Sequence, residues 1–228
     1  MNVVYRHETK FCCRYDEVDC VYDWLYLSPH AIRKHYPDRH INNIYFDWFN
    51  LQDASDNLIG LGRREKLRLR WYGDQDADSP KQLERKIRRD RLGTKRILQL
   101  ESFSVDGMPR NTLAEQIVSR GSESRALELD LRLRNPVVRN RYLREYYQDY
   151  SGQLRLTIDQ QQAFFSVDRD YDVLSANRVD YPLIVIELKY SDQELPRVRS
   201  IMNEFPLRPV RHSKYLAGLA RMIEQPYF

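Results

Sequence analysis

The stretch Arg64-Glu65-Lys66-Leu67-Arg68-Leu69-Arg70-Trp71 determines how the rest of the chain is interpreted. Successive side chains of a β-strand point to opposite faces, so the four cations share one face and Leu67, Leu69 and Trp71 share the other. Neighbours on one strand face lie about 7 Å apart, within the Debye length of about 8 Å at physiological salt. They repel one another unless anions lie among them. The stretch therefore predicts a strand whose charged face binds a polyanion, with a simple solvated face as the alternative.

The same alternation recurs elsewhere in the chain and predicts further strands. They cover residues 5–11, 41–48, 83–88, 154–159 and 184–190. One face of each is apolar, and the other carries charged or polar residues. On four of these strands that second face holds Arg6, Glu8 and Lys10; Glu84, Lys86 and Arg88; Arg155, Thr157 and Asp159; and Glu187 and Lys189.

Helix signals are found between these strands. The sequence predicts two helical pieces within 14–36, the second beginning at Ser28 and Pro29, and further helices at 111–120, 196–205 and 213–224. Residues 50–62 are rich in turn formers and are expected to connect two strands, with Gly60 and Gly62 at positive φ. Residues 89–96 are interpreted as a basic loop, either a solvated turn or an entry for anions. Residues 126–133 fit a helix and a strand equally well.

Composition narrows the class of protein. The 228 residues carry a net charge of only +4, so local clusters of charge matter more than the overall field. There is no apolar run of about 18 residues, and neither the three cysteines nor the five histidines show zinc-site spacing. We expect one cytoplasmic domain over 1–228, without a transmembrane segment.

The charged strand faces allow two arrangements. The apolar faces can form an ordinary core with the charges outside, which is the commoner solution. Alternatively, the sheet closes with the charges inward around a wet, ligand-filled space, while helices cover its apolar outside. The charged faces consist mainly of Arg and Lys with a few carboxylates, and phosphate oxygens and divalent cations bind to such groups, which favours the second arrangement.

Eight motifs, in order, resemble the VTC domain of the triphosphate tunnel metalloenzymes. They are RHETKF at 6–11, IYFD at 44–47, RREKLRLRWYG at 63–73, LERK at 83–86, RYLREYY at 141–147, RLTID at 155–159, VIELKY at 185–190 and HSKY at 212–215. The resemblance implies an α+β, mainly β fold: a closed tunnel of eight antiparallel strands with helices packed outside. In the related CYTH branch the opening signature is Glu-x-Glu-x-Lys, and here Arg6 stands at the first glutamate, which points to the VTC branch.

The resemblance also implies roles for individual residues. Phosphate contacts are expected from Lys10, Arg68, Arg70, Lys86, Arg144 and Arg155, and, toward the tunnel ends, from Lys95, Arg211, Ser213 and Lys214. Glu187 matches the metal ligand. From their positions on the charged strand faces we expect Glu8 and Glu84 as further metal ligands, and Arg6, Arg64, Lys66 and Lys189 as further substrate-binding cations.

The expected reaction is transfer of the ATP γ-phosphoryl group to a growing polyphosphate chain, with Mn²⁺ or Mg²⁺ as cofactor. Hydrolysis of tripolyphosphate or of nucleoside triphosphates is one alternative, with a carboxylate such as Glu8 activating water, and polyphosphate binding without catalysis is another. Nucleic acid is not expected as a partner, because no aromatic residues interleave with the basic faces as a base-stacking surface requires. The sequence indicates no particular protein partner.

Overall fold

The structure is a computed structural model that describes residues 7–89, 92–121, 125–167 and 177–223. The strands within these ranges are β1 His7–Arg14, β2 Arg33–Asp47, β3 Arg63–Tyr72, β4 Ser79–Arg89, β5 Leu92–Phe103, β6 Asn135–Gln148, β7 Arg155–Ser166, β8 Arg178–Asp180 and β9 Leu183–Tyr190. The α-helices are α1 Asp19–Leu27, α2 Gln52–Ile59, α3 Leu113–Arg120, α4 Arg125–Arg132, α5 Leu195–Glu204 and α6 Lys214–Ile223. None of the described helices combines the length and the apolar character needed to cross a membrane.

The described strands form one mostly antiparallel sheet. Its hydrogen-bonded order is β1-β9-β7-β6-β2-β3-β4-β5, and β8 pairs with β7. The predicted class, α+β with mainly antiparallel strands, is confirmed. The strand count is nine instead of eight, and among the described residues no backbone ladder closes the path.

The chain divides into two compact units, which we describe separately. The first contains Met1–Arg39, Tyr142–Gln162 and Asp180–His212. Alternating residues of β1, β7 and β9 form its core together with helices α1 and α5, whose buried residues are spaced three or four apart as an amphipathic helix requires. The main members are Phe11, Val21, Leu25, Leu156, Ile158, Ile186, Leu188, Val198 and Ile201.

The second unit contains His40–Arg141, Ala163–Val179 and Ser213–Phe228. As the opening stretch predicts, Leu67, Leu69 and Trp71 are fully buried on one face of β3. They share a core with Leu113 and Ile117, which lie four residues apart on α3. The apolar half of the alternation therefore forms a dry core, and the cations of β3 lie on its other face.

The predicted second helix within 14–36 is wrong. Helix α1 ends at Leu27, because Ser28 has extended backbone with ψ 132° and donates its N–H to Trp24 O. Ala31 has a positive φ of 53°, which a right-handed helix does not allow. Strand β2 begins at Arg33, so pairing within the sheet overrides the local helix-start signal of Ser28 and Pro29.

Residues 50–62 connect β2 to the antiparallel strand β3 as expected, but this connection contains helix α2, which the turn formers did not predict. The carboxylate of Asp47 accepts the N–H groups of Asp53 and Ala54, each at 2.9 Å, and so satisfies free donors at the start of this helix. Gly60 ends the helix with the predicted positive φ of 76°. Gly62 does not have a positive φ.

The structure corrects the interpretation of residues 89–96 and decides the open one of residues 126–133. Within the expected basic loop 89–96, strand β5 begins at Leu92 and pairs with β4 along its length. This pairing satisfies backbone groups that a loop would leave to water. The ambiguous segment 126–133 is helical as far as Arg132, within α4 Arg125–Arg132.

Candidate functional site

The first unit carries alternating charges on one face of its strands, which we call the Glu187 cluster (Glu8, Lys10, Arg144, Glu187 and Lys189). The register places Lys10 opposite Glu187 and Glu8 opposite Lys189. Lys10 Nζ lies 3.1 Å from Glu8 Oε1 and 3.4 Å from Glu187 Oε1. Lys189 Nζ lies 3.0 Å from Glu187 Oε2 and 4.0 Å from Glu8 Oε2. The same two ammonium groups therefore bridge both carboxylates.

Lys10 is held at the centre of this cluster. Its Nζ also donates to His212 O at 3.2 Å. Burial lowers the pKa of Lys10, but the charges and hydrogen bonds of Glu187 and Glu8 raise it by more, so the pKa lies above its ordinary value. The ammonium group stays charged at neutral pH and is suited to bind an anion.

Strand β6 adds Arg144 to the same cluster. Its Nε and Nη2 donate to the two oxygens of Asp159 at 2.5 and 2.7 Å, and Nη2 lies 3.6 Å from Glu187 Oε2. Burial lowers the pKa of Arg144, but the charge of Asp159 is among the effects that raise it well above its ordinary value. Asp159 is fully buried and fixes the guanidinium by a bidentate pair. The sequence placed Asp159 on a charged face but gave it no role.

Strand β7 lines the same face with Thr157 and Arg155. The register places Thr157 opposite Glu187 and Arg155 opposite Lys189. Thr157 is buried, and its Oγ1 makes no hydrogen bond with any described residue. Arg155 is exposed and its Nε donates to Gly152 O at 3.4 Å. The polar face predicted for 154–159 therefore lies against the Glu187 cluster.

The oxygen atoms of this face fit a hard divalent cation. Glu8 and Glu187 offer carboxylate oxygens, and Thr157 Oγ1 is a buried oxygen with no hydrogen bond to the described residues. Oxygen donors are the ligands that Mg²⁺ and Mn²⁺ prefer. Among the described residues no three His, Cys, Asp or Glu side chains are grouped closely enough to hold a metal by themselves. The donor set suits a cation that takes its other ligands from water or from phosphate, as Mg²⁺ usually does.

The second unit carries the Glu84 cluster (Arg68, Arg70, Glu84 and Lys95), formed by β3, β4 and β5. Arg68 lies opposite Glu84 in the register, with its Nε and Nη2 at 2.6 and 2.5 Å from Glu84 Oε2. Lys95 forms an ion pair with Glu84 Oε1, and Arg70 Nη1 lies 3.8 Å from the same oxygen. Three cations therefore surround one carboxylate that is 2% exposed.

The charges of the Glu84 cluster change the pKa values of its members. Burial raises the pKa of Glu84, but Arg68, Arg70 and Lys95 lower it by more, to about 2. Burial also lowers the pKa of Lys95, and Glu84 compensates only in part. Because the three cations outnumber the single carboxylate, the cluster keeps a positive charge that an anion can neutralise.

Polar side chains from β2 orient the two arginines, and the sequence did not assign them to the site. Arg70 Nε donates to Asn43 Oδ1 at 2.8 Å, and Asn43 Nδ2 donates to Asn140 Oδ1 at 2.8 Å. Arg68 Nη1 donates to Tyr45 OH at 3.3 Å. The alternation in 41–48 already placed Asn43 and Tyr45 on one face, and that was the available signal. Which partner strand they would face is not encoded in that pattern.

The start of helix α6 contributes a further group to the second unit. Lys66 Nζ lies 2.9 Å from Ser213 Oγ. Ser213 caps the helix, since its Oγ accepts from Leu216 N at 3.4 Å and its carbonyl accepts from Ala217 N at 2.9 Å. Lys214, the next residue, is buried. These groups combine cations with the positive end of a helix, which favours an anion.

The remaining predicted cations have less specific surroundings. Lys86 is exposed and lies opposite Lys66 on one side and Lys95 on the other, so three ammonium-bearing positions follow one another across β3, β4 and β5. Arg64 lies opposite Arg88 and its Nη1 donates to Leu61 O at 2.6 Å. Arg211 is exposed and belongs to the first unit. The predicted Arg6 lies outside the described residues.

The chain was compared with protein-family models and with curated protein sequences. The sequence model of the VTC domain matches residues 5–223. No curated protein sequence matches the chain.

Solved structures with a similar fold come from several organisms. A Hippeastrum protein, studied as a candidate adenylyl cyclase and described as having a dominant triphosphatase activity, is 16% identical, with a TM-score of 0.55 over 96% of both chains. A Pyrococcus horikoshii OT3 protein is 13% identical, with a TM-score of 0.50 over 96% of this chain and 98% of its own. A Bacillus halodurans protein, also named as a candidate adenylate cyclase, is 13% identical, with a TM-score of 0.50 over 95% and 96%. At these identities the likeness concerns the fold alone.

Proposed function

The chain belongs to the VTC domain family, and from this premise we propose that it is a metal-dependent polyphosphate polymerase that transfers the γ-phosphoryl group of ATP to a growing phosphate chain. The observation that supports this most strongly is the excess of fixed cations over carboxylates on the charged strand faces. In the Glu84 cluster three cations share one glutamate, and Lys66 and Lys86 lie beside it in the register. Linear polyphosphate, with a negative charge on each unit, complements such a surface.

The residues support the reaction by binding and orientation. A terminal oxygen of the acceptor chain attacks the γ-phosphorus of ATP, the bond from that phosphorus to the β–γ bridging oxygen breaks, and ADP leaves. Such a transfer needs alignment and neutralisation of charge and requires no protein nucleophile. Arg68, Arg70 and Lys86 are assigned to the nucleotide phosphates. Lys214 and Arg211 are assigned to the product chain.

In the first unit, Lys10 and Arg144 are assigned to phosphate oxygens. Both are fixed by carboxylates, Arg144 by Asp159 and Lys10 by Glu8 and Glu187, so little side-chain freedom is lost when an anion binds. Glu187 and Glu8 would hold Mn²⁺ or Mg²⁺, and a bound divalent cation would neutralise charge on the phosphate oxygens. Glu84 remains a further candidate ligand from the sequence.

Hydrolysis is the second candidate function, and it is favoured by the triphosphatase activity described for the Hippeastrum protein. The same cations would hold a triphosphate, and water would replace the acceptor chain. Glu8 is the carboxylate that would activate this water. Its Oε1 lies 3.1 Å from Lys10 Nζ.

The two functions differ in their products. Purified protein is incubated with ATP and Mn²⁺, and ADP, free phosphate and long polyphosphate are quantified together. Synthesis predicts ADP and a ladder of long chains, with free phosphate well below ADP. Free phosphate equal to ADP, without polymer, would establish hydrolysis. If the protein binds polyphosphate tightly but forms no ADP with either Mn²⁺ or Mg²⁺, it is a polyphosphate-binding module without catalytic activity.

Variants of the site test the residues. Arg70→Ala removes a charged donor worth about 1.5–3 kcal/mol, so we expect kcat/KM for ATP to fall about 10- to 150-fold. Glu187→Gln should reduce activity at limiting Mn²⁺ more than at saturating Mn²⁺. Arg96→Ala is the matched control, because Arg96 lies opposite Arg85, on the other face of the strand from Lys95. Circular dichroism of each variant checks that the fold is retained.

A further inference from the structure

Neighbouring strands β2 and β6 bring together a group of planar side chains, which we call the Tyr36 patch (His35, Tyr36, Arg39 and Tyr146). The rings of Tyr36 and Tyr146 lie edge to face, with centroids 6.0 Å apart. Arg39 Cζ lies 5.5 Å from the Tyr36 centroid and 5.4 Å from the Tyr146 centroid. The ring of His35 meets Tyr36 edge-on at 4.2 Å. Tyr36 is 49% exposed, so the patch presents flat aromatic surface to solvent.

Tyr146 of the patch lies on the same face of β6 as Arg144. Arg144 contacts Asp159, whereas Glu145 contacts Tyr147 and Gln160, so side chains alternate along this part of the strand. Tyr146 therefore shares the face of Arg144, and residues two apart on a strand are separated by about 7 Å. Tyr146 is therefore the next residue on that face of β6 after Arg144, whose guanidinium belongs to the Glu187 cluster.

The charges near the patch do not repel a nucleotide. Lys34 Nζ pairs with Asp38 at 2.8 Å and lies 3.7 Å from Glu145 Oε2, so both acidic neighbours have a cationic partner. Arg39 adds a positive charge among the rings. The surface combines aromatic faces and a guanidinium plane, which are the groups on which nucleobases stack in proteins.

We propose that the Tyr36 patch binds the purine base of the nucleotide whose phosphates contact Arg144. This inference rests on the proposed function, since it takes a nucleoside triphosphate as substrate. In a nucleotide the ribose separates the base from the phosphates. The separation of about 7 Å between Tyr146 and Arg144 along β6 suits a base that stacks on Tyr146 while a phosphate contacts Arg144. The patch orients ATP, with its base toward Tyr146 and a phosphate toward Arg144.

The contacts of Arg39 with the two tyrosines also fit a purely structural role. The test therefore compares ligands that have a base with a ligand that has phosphates only. Binding of ATP, UTP and tripolyphosphate is measured by calorimetry in EDTA, which prevents metal-dependent turnover. Tyr36→Ala and Tyr146→Ala should weaken ATP binding about 5- to 150-fold, the range expected for one base stacked on an aromatic ring. The loss should be smaller for UTP, because its ring is smaller. Tripolyphosphate, which has no base, should bind each variant within about twofold of wild type.

Three further variants make each outcome decisive. Tyr146→Phe keeps the ring and should bind ATP like wild type. Tyr150→Ala removes a tyrosine that is 90% exposed, and should also leave ATP binding unchanged. Arg144→Ala should weaken ATP and tripolyphosphate alike, because it removes a phosphate contact. Equal losses of both ligands in the tyrosine variants, or no loss of ATP, would overturn the base site. Failure of wild type to bind either ligand, both in EDTA and with Mn²⁺ present, would overturn the proposed function and the base site together.

Discussion

Glu84→Gln removes the one carboxylate at the centre of the Glu84 cluster, and the structure sets the size of the effect. The pKa of Glu84 is lowered from 4.5 to about 2, because Arg68, Arg70 and Lys95 outweigh the effect of burial. At about 1.4 kcal/mol per pKa unit, this shift corresponds to about 3 kcal/mol of stability. The value agrees with the cost of about 3–5 kcal/mol for breaking a buried ion pair. For a chain of this size it predicts a Tm lower by about 6–12 °C at pH 7.

The pH dependence follows from the sign of the shift. A carboxyl group with a lowered pKa in the folded state stabilises the protein above its ordinary pKa of 4.5. That stabilisation is lost as the pH falls from 4.5 toward 2, so the difference in Tm between wild type and variant should shrink on acidification. Calorimetry at pH 7 and pH 4 measures both quantities.

Ligand binding tests whether the three cations are an anion site. Without Glu84 the repulsion among Arg68, Arg70 and Lys95 is uncompensated, so tripolyphosphate should raise the Tm of the variant more than that of wild type. Glu101→Gln, at an exposed position of β5, is the control and should behave like wild type. A Glu84→Gln protein as stable as wild type at pH 7, or one that tripolyphosphate stabilises less than wild type, would refute this reasoning.

Other predictions concern the core, the charged face and the support of α6. Lys81 is fully buried, its pKa is lowered to about 8 by burial, and its Nζ lies 5.1 Å from the Trp71 ring, so its charge costs stability below pH 8. Chemical denaturation should show wild type gaining about 3 kcal/mol relative to Lys81→Met between pH 7 and pH 11, and a pH-independent difference would contradict this. Lys95→Ala should lower kcat/KM for ATP at least tenfold whereas Arg96→Ala should not; equal effects would exclude a role for the strand face. Tyr215→Phe removes the hydroxyl that donates to Asp47 and should cost about 1–3 kcal/mol in urea denaturation, a loss absent if the bond contributes nothing.

The sequence pattern predicted those strands in which apolar and charged residues alternate strictly. Leu67, Leu69 and Trp71 are buried, and Arg68 faces the opposite side with Glu84, as a period of two requires. The failures lie where distant partners decide the backbone. Residues 33–40 form a strand because β6 and β2 are neighbours in the sheet, and α2 begins where the carboxylate of Asp47 caps it. Neither contact can be seen in a local window of sequence.

The candidate site shows the same division. Lys10 and Glu187 were expected from the resemblance to the VTC domain, and Glu8 from its place on a charged strand face; the register brings the three together. The supporting residues were not assigned a role, because their partners come from other strands. Asp159 fixes Arg144 from a neighbouring strand, and Asn43 orients Arg70 in the same way.

The Tyr36 patch was missed for that reason as well. The basic faces of the predicted strands carry no aromatic residues interleaved with their cations. Tyr36 and Arg39 lie on β2 whereas Tyr146 lies on β6, so the aromatic and cationic groups meet only across two strands. A pattern along one strand cannot show a surface that two strands share.

The fate of the γ-phosphate tests the central claim most directly. Wild-type protein and Arg70→Ala are incubated with ATP labelled at the γ-phosphorus and with Mn²⁺, and the label is separated by chain length. Polyphosphate synthesis predicts that wild type places most of the released label in long acid-labile chains and that the variant places at least tenfold less there. Label that accumulates only as free phosphate, or that stays in ATP, would contradict it.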